Sequence, residues 1–175
     1  VPSEEGRIPA HQSALPGCGG PPPEAAPADW VVAICDKFED NANGWLEGAL
    51  EDEFVRGERK MLRGNLAWQV EGLKDAAVVD GIVDRTFGDF YAAVDVDWME
   101  PPIGAPQYAL QFRRFDKDNF YSFTVDASAS QYLLEVKHRG QWETLIDWTT
   151  NPAIRSTGMN RLAVRHRFLV LYPEQ

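Results

Sequence analysis

The chain has 175 residues, of which 44% are hydrophobic, and this is enough for one domain with a full core. Its 27 acidic and 17 basic residues give a formal net charge of -10, which repels phosphate backbones and argues against a nucleic-acid partner. No apolar run reaches the about 20 residues that a membrane-spanning helix needs, so no transmembrane segment is expected.

Residues 1–29 have the composition of a tail or linker. They hold seven of the twelve prolines and show no hydrophobic period, so we expect an irregular tail here and a folded domain at 30–175. Cys18 and Cys35 flank the end of this Pro-rich segment. In an oxidising compartment they would form a disulfide that ties the tail to the domain, and we favour this pairing because the rest of the sequence is typical of an extracellular or cell-surface protein. The alternative is two free thiols in a cytosolic protein.

The first strands are predicted between residues 30 and 72. An apolar run at 30–34 predicts one strand. Short strands follow at 53–56, 59–62 and 66–71, with glycine turns between them.

A further strand is predicted at 87–99, with Val94, Val96 and Trp98 on its core face, and Pro101 and Pro102 end it.

The stretch 107–148 contains four segments in which apolar and polar residues alternate. A period of two is typical of strands with one buried face, and the residues at 116–119 and 138–141 favour turns between them. Such a meander cannot cover its own apolar face, so the sequence predicts an all-β fold of two antiparallel sheets. A last pair of strands is expected at 161–165 and 168–172. The side chains expected to be mostly buried are Val94, Val96, Trp98, Leu110, Phe112, Tyr121, Phe123, Ile146, Leu162 and Val164.

Six short phrases between residues 36 and 166 carry a family resemblance. In chain order they are Phe38-x-Asp40-x-x-x-Gly44-Trp45, Phe87-x-Asp89-Phe90-x-x-x-Val94-Asp95, Phe112-Arg113-x-x-Asp116-x-Asp118-Asn119-Phe120-Tyr121-x-Phe123, Trp142-x-x-Leu145-Ile146-Asp147-Trp148-Thr149, Pro152-x-Ile154 and Asn160-Arg161-Leu162-x-Val164. Together they resemble the concanavalin A-like, or laminin-G-like, domains of exported and cell-surface bacterial proteins. The resemblance implies a jelly-roll sandwich, a fold often used to bind sugars or other proteins, with some members enzymatic. Together with the absence of a complete catalytic motif and the Pro-rich tail, it favours a non-catalytic interaction module that binds glycan or protein.

The end of the chain departs from this family. Such domains usually continue after the Asn-Arg-Leu strand through a hairpin and further strands, whereas here the run 164–167 leads almost directly into 168–172. The sandwich is therefore expected to have an open edge, and open edges favour pairing with another chain. We expect either the Pro-rich tail or a neighbouring subunit to cover this edge, which favours a homo-oligomer or a subunit of a larger surface assembly. The alternative is that further C-terminal residues close the sandwich within one chain.

The spacing Asp95-x-Asp97-x-x-Glu100 gives an alternative function. Laminarinase-like glycoside hydrolases of the same fold carry Glu-x-Asp-x-x-Glu on one strand, and retaining enzymes need two carboxyls about 5–5.5 Å apart. Here the first residue is Asp, and a regular strand would place Glu100 on the opposite face from Asp95 and Asp97. We therefore favour a solvated acidic strand face over a hydrolase site.

Two further groups are candidate binding residues. Asp40 and Asn43 lie in a loop rich in oxygen ligands and are candidates for a structural Ca²⁺, although turn capping by their side chains is the alternative. Trp142 and Trp148 could stack on sugar rings, but their alternation with neighbouring residues favours core packing. No motif in the sequence requires a cofactor.

Overall fold

Every regular element that the structure describes is a β-strand, and all the strand pairs are antiparallel. The structure is a computed structural model that describes residues 30, 32–74, 87–98 and 107–166. Its strands are β1 (Gly48–Glu51), β2 (Val55–Met61), β3 (Leu66–Gly72), β4 (Phe90–Val96), β5 (Gln107–Asp116), β6 (Asn119–Asp126), β7 (Gln131–His138), β8 (Gln141–Thr150) and β9 (Asn160–His166). The prediction of an all-β, antiparallel fold is therefore confirmed. Within these ranges no helix is long and apolar enough to cross a membrane.

The chain divides at Gly88 and Asp89 into two compact units. The first unit contains the sheet β1-β2-β3. The predicted strand at 30–34 is wrong for the residues described there, which have no regular structure. The predicted boundary between a tail and a domain at residues 29 and 30 stays a prediction.

Gly57 lies inside β2, so the prediction of two short strands with a glycine turn between them is wrong. β2 continues through Gly57, which is paired with Val70 of β3. A Cβ atom at this position would lie 2.0 Å from the carbonyl oxygen of Gln69. The glycine therefore permits a close backbone approach between two strands.

The second unit contains a four-stranded sheet, β5-β6-β7-β8, and a two-stranded sheet, β4-β9. The four strands form the predicted meander, joined by turns at 117–118, 127–130 and 139–140. β4 and β9 are distant in sequence but pair along their length, with Val94 opposite Leu162. The predicted strand at 168–172 lies outside the described residues.

Aromatic side chains join the two sheets of the second unit. Phe90 of β4 meets Phe112 of β5 edge-to-face at 6.4 Å between ring centroids, and Trp98 meets Tyr108 in the same manner at 5.8 Å. Packing of one sheet on another through such side chains gives this unit a β-sandwich-like architecture.

The predicted core is confirmed in part. Leu162 is buried, whereas Tyr121 is 37% and Ile146 is 40% exposed, so the prediction is wrong for these two side chains. The other seven predicted core residues are half-buried. The ring contacts between the two sheets are with β5, and β9 also lies beside β6 and β7, whereas β8 is the edge strand beyond β7. Both faces of β8 are left uncovered by the described residues, so Ile146 is exposed.

Candidate functional site

The second unit contains an open cleft of about 540 Å³. Its walls come from β4, β6, β7, β9 and the loop at 151–159. The volume falls within the range of about 300–1,000 Å³ that is usual for small-ligand sites. The lining residues are Asp95, Phe123, Val125, Tyr132, Asn151, Ala153, Ile154, Arg155, Met159, Asn160, Arg161 and Leu162.

The apolar part of the cleft is formed by β6, β7 and β9. The rings of Phe123 and Tyr132 lie 5.8 Å apart at a tilt, on neighbouring strands. Val125 and Leu162, which are 3% and 2% exposed, line the cleft together with these rings. The aromatic side chains are themselves half-buried, so each ring keeps part of its surface open to the cleft.

The wall at 151–159 is held by hydrogen bonds from side chains to the backbone. Asn160 accepts a bond from the backbone N–H of Arg155 and donates one to its carbonyl oxygen, both at 2.8 Å. Ser130 donates to the carbonyl oxygen of Ile154 at 3.3 Å, and its own carbonyl accepts from the N–H of Asn151 at 2.9 Å. Because these bonds fix the loop at several points, the cleft is preformed.

The rim of the cleft is polar. Arg161 of β9 contacts both carboxylate oxygens of Asp95, its partner in β4, at 3.1 and 3.3 Å. Arg155 is exposed, and no carboxylate of the described residues lies within 4.0 Å of its side chain. The rim therefore presents two guanidinium groups, that of Arg161 paired with Asp95 and that of Arg155 available to a ligand.

The alternative catalytic residues are only partly described. Asp95 is held by Arg161, and Asp97 is exposed near Tyr108, whose pKa is raised by burial and by the negative charge of Asp97. Glu100 lies outside the described residues. Whether the three carboxyls converge therefore stays open, and the hydrolase hypothesis stays a prediction.

The loop with the Ca²⁺ candidates is held together by its own side chains. Asp40 accepts a bond from the N–H of Ala42 at 2.9 Å, which is an Asx-turn, and Asn43 donates its amide to Asp36 at 2.8 Å. Asp36 also accepts from the indole N–H of Trp45. Burial raises the pKa of Asp36, but the hydrogen bonds outweigh it and hold this pKa below the ordinary 3.8. Among the described residues no group of three or more His, Cys, Asp and Glu side chains could hold a metal ion. Ca²⁺ binding at Asp40 and Asn43 stays a prediction.

Trp142 and Trp148 lie on β8, outside the cleft. They are 52% and 37% exposed, so the expectation that they pack in the core is wrong. Trp142 meets Phe120 edge-to-face at 5.3 Å, and the Lys137 ammonium lies 5.7 Å from the Trp142 ring centroid. Their exposure follows from the position of β8 at the edge of the sheet.

Of the cleft residues, only Asp95 is predicted from the sequence as a candidate site residue. Tyr132, Arg155 and Asn160 are not identified there as site residues. Asn160 and Arg161 did appear in the Asn-Arg-Leu phrase of the family resemblance. Asp95, Phe123 and Ile154 also stand in phrases of the resemblance, but nothing local in the sequence shows that these residues share one cleft.

No protein-family model, curated protein or solved structure matches the chain. The resemblance to concanavalin A-like domains rests on the six phrases and on the antiparallel, sandwich-like architecture.

Proposed function

We propose that the protein is a non-catalytic interaction module of the concanavalin A-like, jelly-roll class, acting at the cell surface or outside the cell. Its ligand is a glycan that binds in the cleft of the second unit. The observation that carries the proposal is the cleft itself, which is preformed, open and about 540 Å³ in volume, with an aromatic floor and a polar rim.

The chemistry of the lining suits a sugar. The C–H face of a pyranose is apolar and packs on aromatic surface, which Phe123 and Tyr132 provide. Its hydroxyl groups both donate and accept hydrogen bonds. Asn151 and Arg155 offer polar groups for them at the rim.

The ion pair at the rim supports the non-catalytic part of the proposal. A retaining hydrolase needs one carboxylate as nucleophile and a second carboxyl as acid/base, about 5–5.5 Å apart. Asp95 is instead engaged by Arg161 at 3.1 Å, and both side chains are partly exposed. A nucleophile held in this way would first have to break its ion pair.

A glycan array with the full chain, in the presence of Ca²⁺ and of EDTA, tests the proposal directly. The oligosaccharide that binds best is then titrated calorimetrically against the wild type and two variants. Arg155→Ala removes a charged hydrogen-bond donor from the rim, and we expect the affinity to fall by about tenfold or more. Arg114→Ala, at an exposed position on β5, is the matched control and should leave the affinity unchanged.

Three results would count against this function. If no glycan binds in either condition, or if Arg155→Ala binds as tightly as the wild type, the cleft is not the binding site. If the bound oligosaccharide gains new reducing ends on incubation, the hydrolase alternative with Asp95, Asp97 and Glu100 is correct instead.

A further inference from the structure

β8 is exposed along its whole length. All ten of its residues are exposed, including four large apolar side chains: Trp142 at 52%, Leu145 at 45%, Ile146 at 40% and Trp148 at 37%. In the order β5-β6-β7-β8 it is a terminal strand, and within the described ranges it pairs only with β7. An edge strand with this much apolar surface is a surface that another chain can cover.

Two carboxylates lie among these apolar side chains. Glu143 and Asp147 belong to β8, and within the described part of the chain no cation lies within 4.0 Å of either. The neighbouring Lys137 of β7 forms its ion pair with Asp118 at 3.3 Å. β8 therefore combines exposed apolar area with uncompensated negative charge, on a chain whose net charge is -10.

This charge pattern argues against a second copy as the occupant. Two chains that each carry a net charge of -10 repel each other at long range, and pairing two β8 strands would bring their uncompensated carboxylates onto one seam.

The backbone of β8 limits where a new strand could pair. Its register with β7 shifts on both sides of Leu134, and the carboxylate of Asp147 accepts the N–H of Trp148 at 2.7 Å. Thr149 donates its hydroxyl to the carbonyl oxygen of Asp147 at 2.7 Å. Pairing with β7 is consecutive from Gln141 to Thr144 and again at Thr149 and Thr150, so a partner finds its longest regular ladder at 141–144 and side-chain contacts beyond it.

We propose that β8 is a docking edge for an extended, basic segment of a partner protein. The segment pairs with Gln141–Thr144, packs an apolar side chain on Trp142 at one face of the strand, and places Lys or Arg side chains against Glu143 at the other face and against Asp147 beyond the register shift. Main-chain bonds and apolar contacts supply affinity, and the two carboxylates select the cationic partner. This edge is separate from the cleft and does not depend on a glycan binding there.

The test uses a labelled, end-capped peptide, Thr-Val-Lys-Val-Thr-Val-Lys-Thr, whose two cations are spaced like Glu143 and Asp147. Fluorescence anisotropy measures its binding to the full chain, and an otherwise identical peptide with Glu in place of Lys is the control. We expect the Lys peptide to bind, the Glu peptide not to bind, and the affinity to fall as ionic strength rises.

Matched variants of the chain locate the site. Glu143→Gln and Asp147→Asn should each lower the affinity for the Lys peptide about 2- to 5-fold, as expected for exposed ion pairs. The Asn side chain at position 147 can still accept the hydrogen bond from the Trp148 N–H. Trp142→Ser should lower the affinity for the Lys peptide at least about fivefold, since Trp side chains at interface centres are common hot spots. Glu39→Gln and Trp68→Ser, at exposed positions of the first unit, are controls that should have no effect.

Three results would overturn the proposal. The Glu peptide could bind as tightly as the Lys peptide, or the β8 variants could bind like the controls. Light scattering could instead give twice the mass of 19.7 kDa, with Trp142→Ser restoring the monomer, which would assign β8 to a second copy. Each of these results would show that the proposal of a basic segment bound at β8 is wrong.

Discussion

Truncation of Leu162 to Ala tests where the core of the second unit lies. The Leu162 side chain is 2% exposed, on β9 opposite Val94, and it lines the cleft. Buried Leu→Ala substitutions usually cost about 2–5 kcal/mol, from lost transfer free energy and from the cavity left behind. Because Leu162 borders an open cleft, its neighbours can relax, and we expect the lower part of this range, about 2–3 kcal/mol.

Leu145→Ala is the matched control, since it makes the same chemical change on an exposed strand. The Leu145 side chain is 45% exposed, so only part of its transfer free energy is lost, about 1 kcal/mol or less. With a urea m-value of about 2 kcal/mol/M, Leu162→Ala should lower the unfolding midpoint by about 1–1.5 M, and Leu145→Ala by about 0.5 M or less.

Urea titration followed by tryptophan fluorescence and by circular dichroism measures both midpoints. Equal m-values for the wild type and the variants would show that only stability has changed. If Leu145→Ala lowers the midpoint as much as Leu162→Ala does, β8 is covered in solution and the assignment of the core is wrong.

Three further predictions concern other parts of the chain. Gly57→Ala should disrupt the pairing of β2 with β3, because the new Cβ would lie 2.0 Å from the Gln69 carbonyl oxygen. Amide hydrogen exchange should then be faster in both strands, and unchanged protection would contradict this prediction. The pKa of Asp36 is lowered in the folded chain, so its stabilising effect is present above its ordinary pKa of 3.8 and is lost as the pH falls through the folded value. The stability difference between the wild type and Asp36→Asn should therefore shrink below about pH 4 in urea titrations, and a difference independent of pH would refute this reasoning. Cys18 and Cys35 should be found as a disulfide by mass spectrometry of non-reduced protein from its native compartment, and two free thiols would also weaken the extracellular assignment.

The local pattern of the sequence was sufficient for most of the strands. The alternation between residues 107 and 148 predicted the meander, because the period of two and the turn residues are both local properties. Gly57 was misassigned to a turn because its reason is not local. It is needed where β3 approaches β2, and only the pairing of the two strands shows that approach.

Burial required the tertiary structure. Ile146 and Leu162 have the same alternating pattern in sequence, yet one is 40% and the other 2% exposed. A period of two says which residues share a face, and it does not say whether another sheet covers that face. Leu162 belongs to the two-stranded sheet β4-β9, which packs on the four-stranded sheet through contacts such as Phe90 with Phe112. Ile146 belongs to β8, the strand at the far edge of the four-stranded sheet.

The cleft shows the same division. The sequence by itself determined an acidic, antiparallel all-β chain and the strands that carry Asp95, Phe123 and Tyr132. The tertiary structure alone brought Asp95 and Asn160 beside these two rings, because β4 and β9 are far apart in sequence and both are separated from the hairpin of β6 and β7. Contacts at long sequence separation depend on how the sheets pack on each other, and no short window of residues contains that information.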